Sequence, residues 1–269
     1  MTSKDLSKLI FERLQSESEQ LRAEFHQPRA VPTRFVIIDN VLPDSLARQV
    51  FEAFPAVAQM RLLSTFREKK YTSKAMDKID PLIGAATFAF QTPEVLRQVA
   101  LITGLQDMVA DPHLYAGGIS TMLQSHFLQP HIDNSHDSVQ QFYRVLNLLY
   151  YVTPNWRSEN GGNLELWDDR VRECVEVPSL FNRLVIMETH NHSWHSVNRV
   201  KTVGSRCCLS NYYYSPHPPD GKEHFHITSF KARPEQQVQR AFMQVDTVLR
   251  STVRKIIKPG LGRSDVYKD

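Results

Sequence analysis

The sequence has few cysteines and no long apolar run. Only Cys174, Cys207 and Cys208 occur among 269 residues, and two of them are adjacent, which argues against a disulfide framework and indicates a reducing compartment. The N-terminal residues lack the apolar core of a signal peptide, and no stretch approaches the length needed to cross a bilayer. We therefore expect a cytoplasmic protein that does not enter the membrane.

A strong charge of either sign is also missing. The 32 basic and 29 acidic residues leave a formal net charge of +3, and they are dispersed along the chain, so no basic face for a nucleic acid is predicted. Hydrophobic residues make up 41% of the chain, enough for a substantial core. No internal repeat, low-complexity run or linker interrupts the sequence. We expect one domain spanning residues 1–269.

Helical patterns dominate the N-terminal part. Apolar residues between positions 3 and 25 recur at helical spacing and predict a leading helix. A β-branched segment then predicts a strand that ends at Asp39, and further helices are predicted to begin near Pro43 and Thr92. Residues 1–111 are therefore expected to form helical support together with the first strands.

Short strands dominate the middle of the chain. Between residues 112 and 215, runs such as YRVLNLLYYV, GNLELW and RLVIMET are rich in β-branched and aromatic residues and end at Gly, Asn or Pro. This pattern is typical of a β-sandwich or small barrel. Apolar residues recur at helical spacing after Pro234 and predict a closing helix in a C-terminal extension, residues 216–269. The expected class is α+β, mainly β with supporting helices.

A His-x-Asp motif supplies the first candidate site. His131 and Asp133 alternate on a predicted strand, so both side chains leave it on the same face. His195 follows 62 residues after Asp133, far enough for several strands to return a second imidazole to the first pair. Two histidines and one carboxylate on one face of an octahedral metal suit iron(II) that must also bind a cosubstrate and O₂.

An arginine follows at a distance that fits a neighbouring strand. Arg206 lies 11 residues after His195, in the mostly apolar run RCCLSNYYY, where a surface salt bridge is a poor explanation for it. A guanidinium beside the metal can hold the distal carboxylate of a dicarboxylic cosubstrate by paired charge-assisted hydrogen bonds. We expect Arg206 to have this role.

These residues resemble the prolyl 4-hydroxylase-like oxygenases that depend on 2-oxoglutarate and iron(II), in particular a bacterial branch of that family. His131, Asp133, His195 and Arg206 match the order and spacing of the family pattern, and the resemblance covers about residues 34–215. It implies a double-stranded β-helix (jelly-roll) core. It also implies that Fe(II), 2-oxoglutarate and O₂ are used to hydroxylate an unactivated C–H bond, with release of succinate and CO₂.

The resemblance further implies one residue that contacts the cosubstrate and leaves a second such residue unidentified. Family members use a polar residue on the strand after the His-x-Asp motif to touch the cosubstrate, and Asn147 occupies that place. Many relatives have a tyrosine nine residues before the first ligand, where this chain has Met122, so another donor is needed. The related halogenases replace the metal-binding aspartate, whereas Asp133 is retained, and hydroxylation is therefore expected.

The substrate stays open between several classes. A small molecule or glycan is the leading expectation, and the basic segment FREKKYTSK (residues 66–74), if it covers the metal, favours an anionic one. A peptidyl-proline hydroxylase follows on family grounds. A cupin-like metal-dependent isomerase would use the same three ligands but not Arg206, and a non-catalytic sugar-binding barrel would use none of the four.

Overall fold

A computed structural model of the chain describes residues 1–236, which form five α-helices and thirteen β-strands. The helices are α1 (Ser3–Ser16), α2 (Ser18–His26), α3 (Asp44–Glu52), α4 (Pro81–Ala89) and α5 (Pro93–Thr103). The strands are β1 (Phe35–Asp39), β2 (Arg61–Ser64), β3 (Glu68–Ser73), β4 (Val109–Ala110), β5 (Gly118–Met122), β6 (Phe127–Ile132), β7 (Tyr143–Tyr151), β8 (Leu164–Trp167), β9 (Cys174–Val177), β10 (Arg183–Glu188), β11 (His195–Val197), β12 (Arg206–Ser215) and β13 (Ser229–Phe230).

The N-terminal helices follow the predicted apolar pattern with one difference. The leading helix is broken at Glu17, whose φ of −124° and ψ of 18° leave the helical region, so α1 and α2 are separate. Because of this break α1 packs on α4 and α5, whereas α2 packs on α5 and β1. The strand ending at Asp39 and the helix that stops at Gly104, with φ of 73°, lie where they were predicted.

The strands form one curled antiparallel sheet. Its order is β1-β10-β7-β12-β5-β3-β6-β11-β8-β9, and β13, β2 and β4 pair with β6, β3 and β12 respectively. Strand β3 bridges the two halves of the sheet, since it pairs with β5 along one part and with β6 along another. The sheet therefore closes on itself as the expected double-stranded β-helix.

Alternation along β7 separates the supporting core from the barrel interior. Leu146, Leu148 and Tyr150 belong to the large core cluster that the helices cover. Asn147 and Leu149 point the other way and line a cavity inside the barrel. The helices thus cover the outer face of the sheet and leave its inner face for a site.

A pair of glycines shapes the turn before β8. Gly161 has a φ of 71°, and a Cβ built there would collide with the carbonyl oxygen of Arg199, while a Cβ on Gly162 would lie 3.4 Å from Cγ of Arg206. Glycine adopts the left-handed backbone conformation without strain, and because it has no Cβ it avoids these close contacts. This turn therefore packs directly against the side chain that was predicted to bind the cosubstrate.

We expect Gly161→Ala to lower the free energy of unfolding by about 2 kcal/mol, because strain and a backbone collision add. For a protein of this size that corresponds to a Tm lower by roughly 5 °C in thermal unfolding. Gly221→Ala is the control, since Gly221 has the same φ of 71° but no atom within 4 Å of the added Cβ. Equal shifts in the two variants would show that the close approach at Gly161 has no energetic weight.

The structure describes only residues 216–236 of the predicted C-terminal extension. Residues 216–236 contain irregular chain and β13 but no helix, and the closing helix predicted after Pro234 lies outside the described residues. Within residues 1–236 no helix has the length and apolar character needed to cross a bilayer. The division of the whole chain into a single domain stays a prediction.

Candidate active site

Two neighbouring strands bring the three predicted metal ligands together. His131 of β6 lies opposite His195 of β11, and their ring centroids are 4.1 Å apart. Asp133 Oδ1 lies 3.7 Å from His131 Nε2, and Asp133 Oδ2 lies 3.7 Å from His195 Nε2. One donor atom from each residue falls within 4.8 Å of the others, and residues 1–236 contain no second group of this kind. The geometry is that of a metal site with three protein ligands.

Backbone carbonyls hold both imidazoles in the orientation that a metal requires. His131 Nδ1 donates to the carbonyl of Gln129 at 3.0 Å, and His195 Nδ1 donates to the carbonyl of Ser193 at 2.9 Å. Each Nε2 is then left with its lone pair facing Asp133. Burial, together with the neighbouring His195, lowers the pKa of His131 to about 3, so this imidazole is neutral near pH 7. The donor set therefore fits a divalent cation.

A second arginine, Arg144, lies against the carboxylate of Asp133. It is buried in β7, its Nη1 is 3.3 Å from Asp133 Oδ2, and its Nη2 donates to Asn134 Oδ1 at 2.9 Å. Its guanidinium also lies 4.1 Å from the ring centroid of Tyr212. Burial opposes ionisation of Asp133, but the charges around it, that of Arg144 foremost, together outweigh burial and hold the pKa of Asp133 below its usual value. The carboxylate is thus ionised and oriented before any metal binds.

Arg144 was not predicted as a site residue, although the sequence contains a signal for it. Arg144 interrupts the apolar strand YRVLNLLYY just as Arg206 interrupts RCCLSNYYY, and a buried arginine in either setting needs an anionic partner. The partner of Arg144 is the metal-ligand candidate Asp133.

The three ligands open into a cavity of about 270 Å³ inside the barrel. Its polar lining includes Arg144, Asn147, Arg206, Ser120 and Ser210, and its apolar lining includes Met122, Leu128, Leu149, Leu164, Val197 and Phe230. Apolar walls with a few converging polar groups are typical of a ligand site.

Arg206 supplies the cavity with a buried cation that has no anionic partner among the described residues. Its Nε donates to Ser179 Oγ at 3.3 Å, and its guanidinium lies 4.6 Å from the ring centroid of Tyr151. Only 4% of the residue is exposed. A buried, unpaired guanidinium is costly, and the carboxylate of a bound ligand would compensate it.

Asn147 lies in the same cavity, as the resemblance implied. It pairs in register with Tyr212 of β12, and its Nδ2 donates to the Tyr212 hydroxyl at 3.5 Å. Its Oδ1 is buried without a hydrogen-bond partner among the described residues. The contact of Asn147 with the cosubstrate stays a prediction.

Tyr151 is a second site residue that was not predicted from the sequence. Met122, which stands where relatives have a tyrosine, places its Sδ 3.9 Å from Arg206 Nη1 and offers no donor. Tyr151 lies on the inner face of β7, and its buried hydroxyl is close to the Arg206 guanidinium. Burial raises the pKa of Tyr151, so this hydroxyl keeps its proton and can donate. Its place two strand residues beyond Leu149 is the only sequence signal.

Three further histidines lie beside the site without joining the metal ligands. His136 packs its ring on Tyr143, with centroids 4.3 Å apart, and its Nδ1 bonds to Ser135 Oγ at 2.7 Å. His224 and His226 stack on each other with centroids 5.3 Å apart. None of the three contributes an atom to the group formed by His131, Asp133 and His195.

The middle of the chain matches a known family. Residues 117–214 match the profile described as 2OG-Fe(II) oxygenase superfamily, a range that includes all four motif residues and Asn147. No curated protein sequence matches the chain.

Several solved structures have the same fold. A prolyl hydroxylase from Trichoplax adhaerens, in complex with a hypoxia inducible factor peptide fragment, is similar with a TM-score of 0.54 and 18% identity, over 79% of this chain and 97% of that one. A Pseudomonas putida prolyl-4-hydroxylase is similar with a TM-score of 0.53 and 14% identity, over 75% and 98%. A Phytophthora capsici prolyl 4-hydroxylase gives 0.54 and 16%, over 91% and 75%. At these identities the likeness shows a shared fold.

Proposed function

We propose, from the premise that residues 117–214 form a 2-oxoglutarate- and iron(II)-dependent oxygenase domain, that His131, Asp133 and His195 bind the iron and that the enzyme hydroxylates a small molecule or a glycan. The protein is a dioxygenase that uses Fe(II), 2-oxoglutarate and O₂. The roles of the individual residues and the substrate class are our proposal.

One observation carries the proposal. A three-donor metal group and a buried arginine without an anionic partner line the same cavity. A metal alone would not require Arg206, and a dicarboxylate alone would not require three converging metal donors. A ligand that chelates a metal at one end and carries a carboxylate at the other satisfies both. This combination also argues against the cupin-like isomerase and the non-catalytic barrel.

Iron bound to these residues would supply the redox chemistry that couples oxidation of 2-oxoglutarate to succinate and CO₂ with insertion of one oxygen atom of O₂ into a C–H bond. The chain's own residues prepare the site for it. The carbonyls of Gln129 and Ser193 fix the imidazoles, Arg144 holds the carboxylate of Asp133, and Arg206 binds the distal carboxylate of 2-oxoglutarate. Apolar side chains, among them Leu149, Leu164 and Val197, line the cavity beside these groups.

We expect Tyr151→Phe to weaken 2-oxoglutarate binding about 10-fold, because the variant loses one hydrogen bond from the tyrosine hydroxyl to the carboxylate beside Arg206. Tyr150→Phe is the matched control, since the Tyr150 hydroxyl donates to Asn182 Oδ1 at 2.8 Å on the outer face of β7. Anaerobic titration with 2-oxoglutarate should separate the two. Equal affinities in both variants would remove Tyr151 from the cosubstrate site.

The size and the rim of the cavity support a small substrate. A volume of about 270 Å³ must hold 2-oxoglutarate as well, and Leu63 and Lys70 of the β2–β3 hairpin line one side while Thr228 and Phe230 line another. Lys70 forms an ion pair of 3.0 Å with Glu68, so the charge of the one lysine that lines the cavity is already compensated. An anionic substrate would have to compete with Glu68 for Lys70.

The test is an anaerobic titration of the wild-type protein with Fe(II) and then with 2-oxoglutarate, observed through the visible charge-transfer band of the chelate. We expect the band to form only when both are present. Succinate release in air, measured with panels of sugars, acidic sugars and proline-containing peptides, then identifies the substrate class that accelerates turnover.

The outcomes are distinct. Acceleration by a sugar supports the proposal, and acceleration by proline peptides alone would replace the proposed substrate with peptidyl proline. Binding of iron without any binding of 2-oxoglutarate would favour the isomerase instead.

A further inference from the structure

A segment that follows the barrel runs along the strand of the first metal ligand. We call residues 228–236 the strap. Ser229 and Phe230 of the strap pair with Ile132 and His131 of β6, and Lys231 N donates to the carbonyl of Pro130 at 2.8 Å. The ring of Phe230 stacks on the imidazole of His131, with centroids 5.4 Å apart and planes at 18°. The strap is therefore in direct contact with the first ligand.

The same segment also reaches the strand of the second histidine through Arg233. Arg233 Nη1 forms an ion pair of 2.5 Å with Glu165 Oε2 of β8. Its Nη2 donates to the carbonyl of Val197 at 3.2 Å and lies 3.4 Å from Ser196 Oγ, both in β11. Ser196, the residue after His195, donates in turn to Glu165 Oε2 at 2.5 Å. One side chain thus joins the strap to both strands behind the second ligand.

The ion pair between Arg233 and Glu165 is largely buried. The side chains of Glu165 and Arg233 are 8% and 13% exposed, and Glu165 pairs in register with Ser196. In a buried ion pair, a guanidinium can form two parallel hydrogen bonds, which other groups reproduce poorly. Removal of one partner leaves the other charge buried and unpaired. A shift of Glu165 and Ser196 would be passed to the neighbouring His195.

We propose that Arg233 is a positioning residue of the iron site: by clamping the strap onto β8 and β11, it fixes β11 relative to β6 and so sets the distance between the imidazoles of His195 and His131. This inference rests on the proposed function, since it takes these imidazoles as iron ligands. It adds a residue outside the matched range 117–214 and outside the cavity lining.

The experiment compares Arg233→Ala and Arg233→Lys with a matched control, Arg183→Ala. Arg183 forms an equally close pair with Asp39, with contacts of 2.6 and 2.8 Å, but it joins β10 to β1, which carry no metal ligand. Three quantities are measured for each full-length protein prepared without iron. These are the dissociation constant of Co(II), the visible spectrum of bound Co(II) and the Tm of the metal-free protein.

We expect Arg233→Ala to weaken Co(II) binding at least 10-fold and to alter the Co(II) spectrum, as loss of a residue that supports metal ligands does. Arg233→Lys should recover part of the affinity, because it keeps the charge but not the forked geometry. Arg183→Ala should leave affinity and spectrum unchanged, even where it lowers the Tm as much as Arg233→Ala does.

Other results overturn the inference in distinguishable ways. If the Arg233 variants lower only the Tm, or if Arg183→Ala weakens Co(II) binding equally, Arg233 is a general structural contact and the proposed function is untouched. If the wild-type protein takes up no Co(II), the proposed function fails and the positioning role fails with it.

Discussion

His131→Ala is expected to weaken metal binding by more than about 100-fold, beyond the range seen when only a supporting residue is changed. The variant loses one of three donors, and the remaining pair, Asp133 and His195, cannot bind one face of an octahedral ion. The Phe230 ring that stacks on His131 also loses its neighbour. Anaerobic Fe(II) titration and metal analysis after dialysis measure the loss, and the chelate band with 2-oxoglutarate should disappear with it.

His136→Ala is the matched control for this prediction. It removes an imidazole five residues away along the chain that packs on Tyr143 and contributes no atom to the metal group. We expect its iron affinity to stay within a factor of about 2 of the wild type, by the additivity of separate sites. Retention of iron by His131→Ala, or an equal loss in both variants, would contradict the assignment of His131 as a ligand.

Most of the candidate ligand set was predictable from local rules. Alternation on a strand places His131 and Asp133 on one face. Arg206 stood out because a charged residue inside an apolar run must face something polar. The choice of His195, which lies directly opposite His131 in the structure, depended on a distant contact, and there the order and spacing of the family pattern supplied the prediction.

The residues that were not predicted depend on contacts that periodicity does not show. Arg144 meets Asp133 across the chain reversal before β7, and Arg233 of the strap meets Glu165 of β8. Periodicity carries no information about which of many arginines finds a carboxylate far away in sequence. Tyr151 was hidden for a similar reason, because its value depends on the thioether of Met122 on another strand.

The environment of two segments could not be decided from the sequence. The tyrosine run at positions 212–214 could pack internally or at an interface, and in the structure all three rings are buried, one of them against Arg144 and one against the helices. Most of the basic segment FREKKYTSK forms β3. Its alternating charges look like a solvated loop when the partner strands β2 and β5 are unknown.

Arg206→Met is expected to weaken 2-oxoglutarate binding by about 100-fold or more while metal affinity stays unchanged. Loss of one partner of a buried, hydrogen-bonded charge pair costs about 2–5 kcal/mol, and each 1.4 kcal/mol is tenfold in affinity. Arg206→Lys should lie between, because an ammonium keeps the charge without the fork. Arg199→Met, which removes an exposed arginine bonded to the carbonyl of Ser125, serves as control. Anaerobic titration of the chelate band at saturating Fe(II) measures each affinity.

The stability of the same variant provides an independent test, because Arg206 is a buried cation whose side-chain partners, Ser179, Met122 and Tyr151, are all uncharged. Burial of an uncompensated charge destabilises the cosubstrate-free protein, and such a cost is typical of binding sites. Arg206→Met should therefore have a Tm equal to or above that of the wild type without 2-oxoglutarate, and it should lose the rise in Tm that 2-oxoglutarate causes in the wild type. The opposite result would be a Tm of Arg206→Met below that of the wild type without 2-oxoglutarate, together with the same rise in Tm when 2-oxoglutarate is added. Arg206 would then be a structural residue, and the distal carboxylate of 2-oxoglutarate would lack its proposed partner.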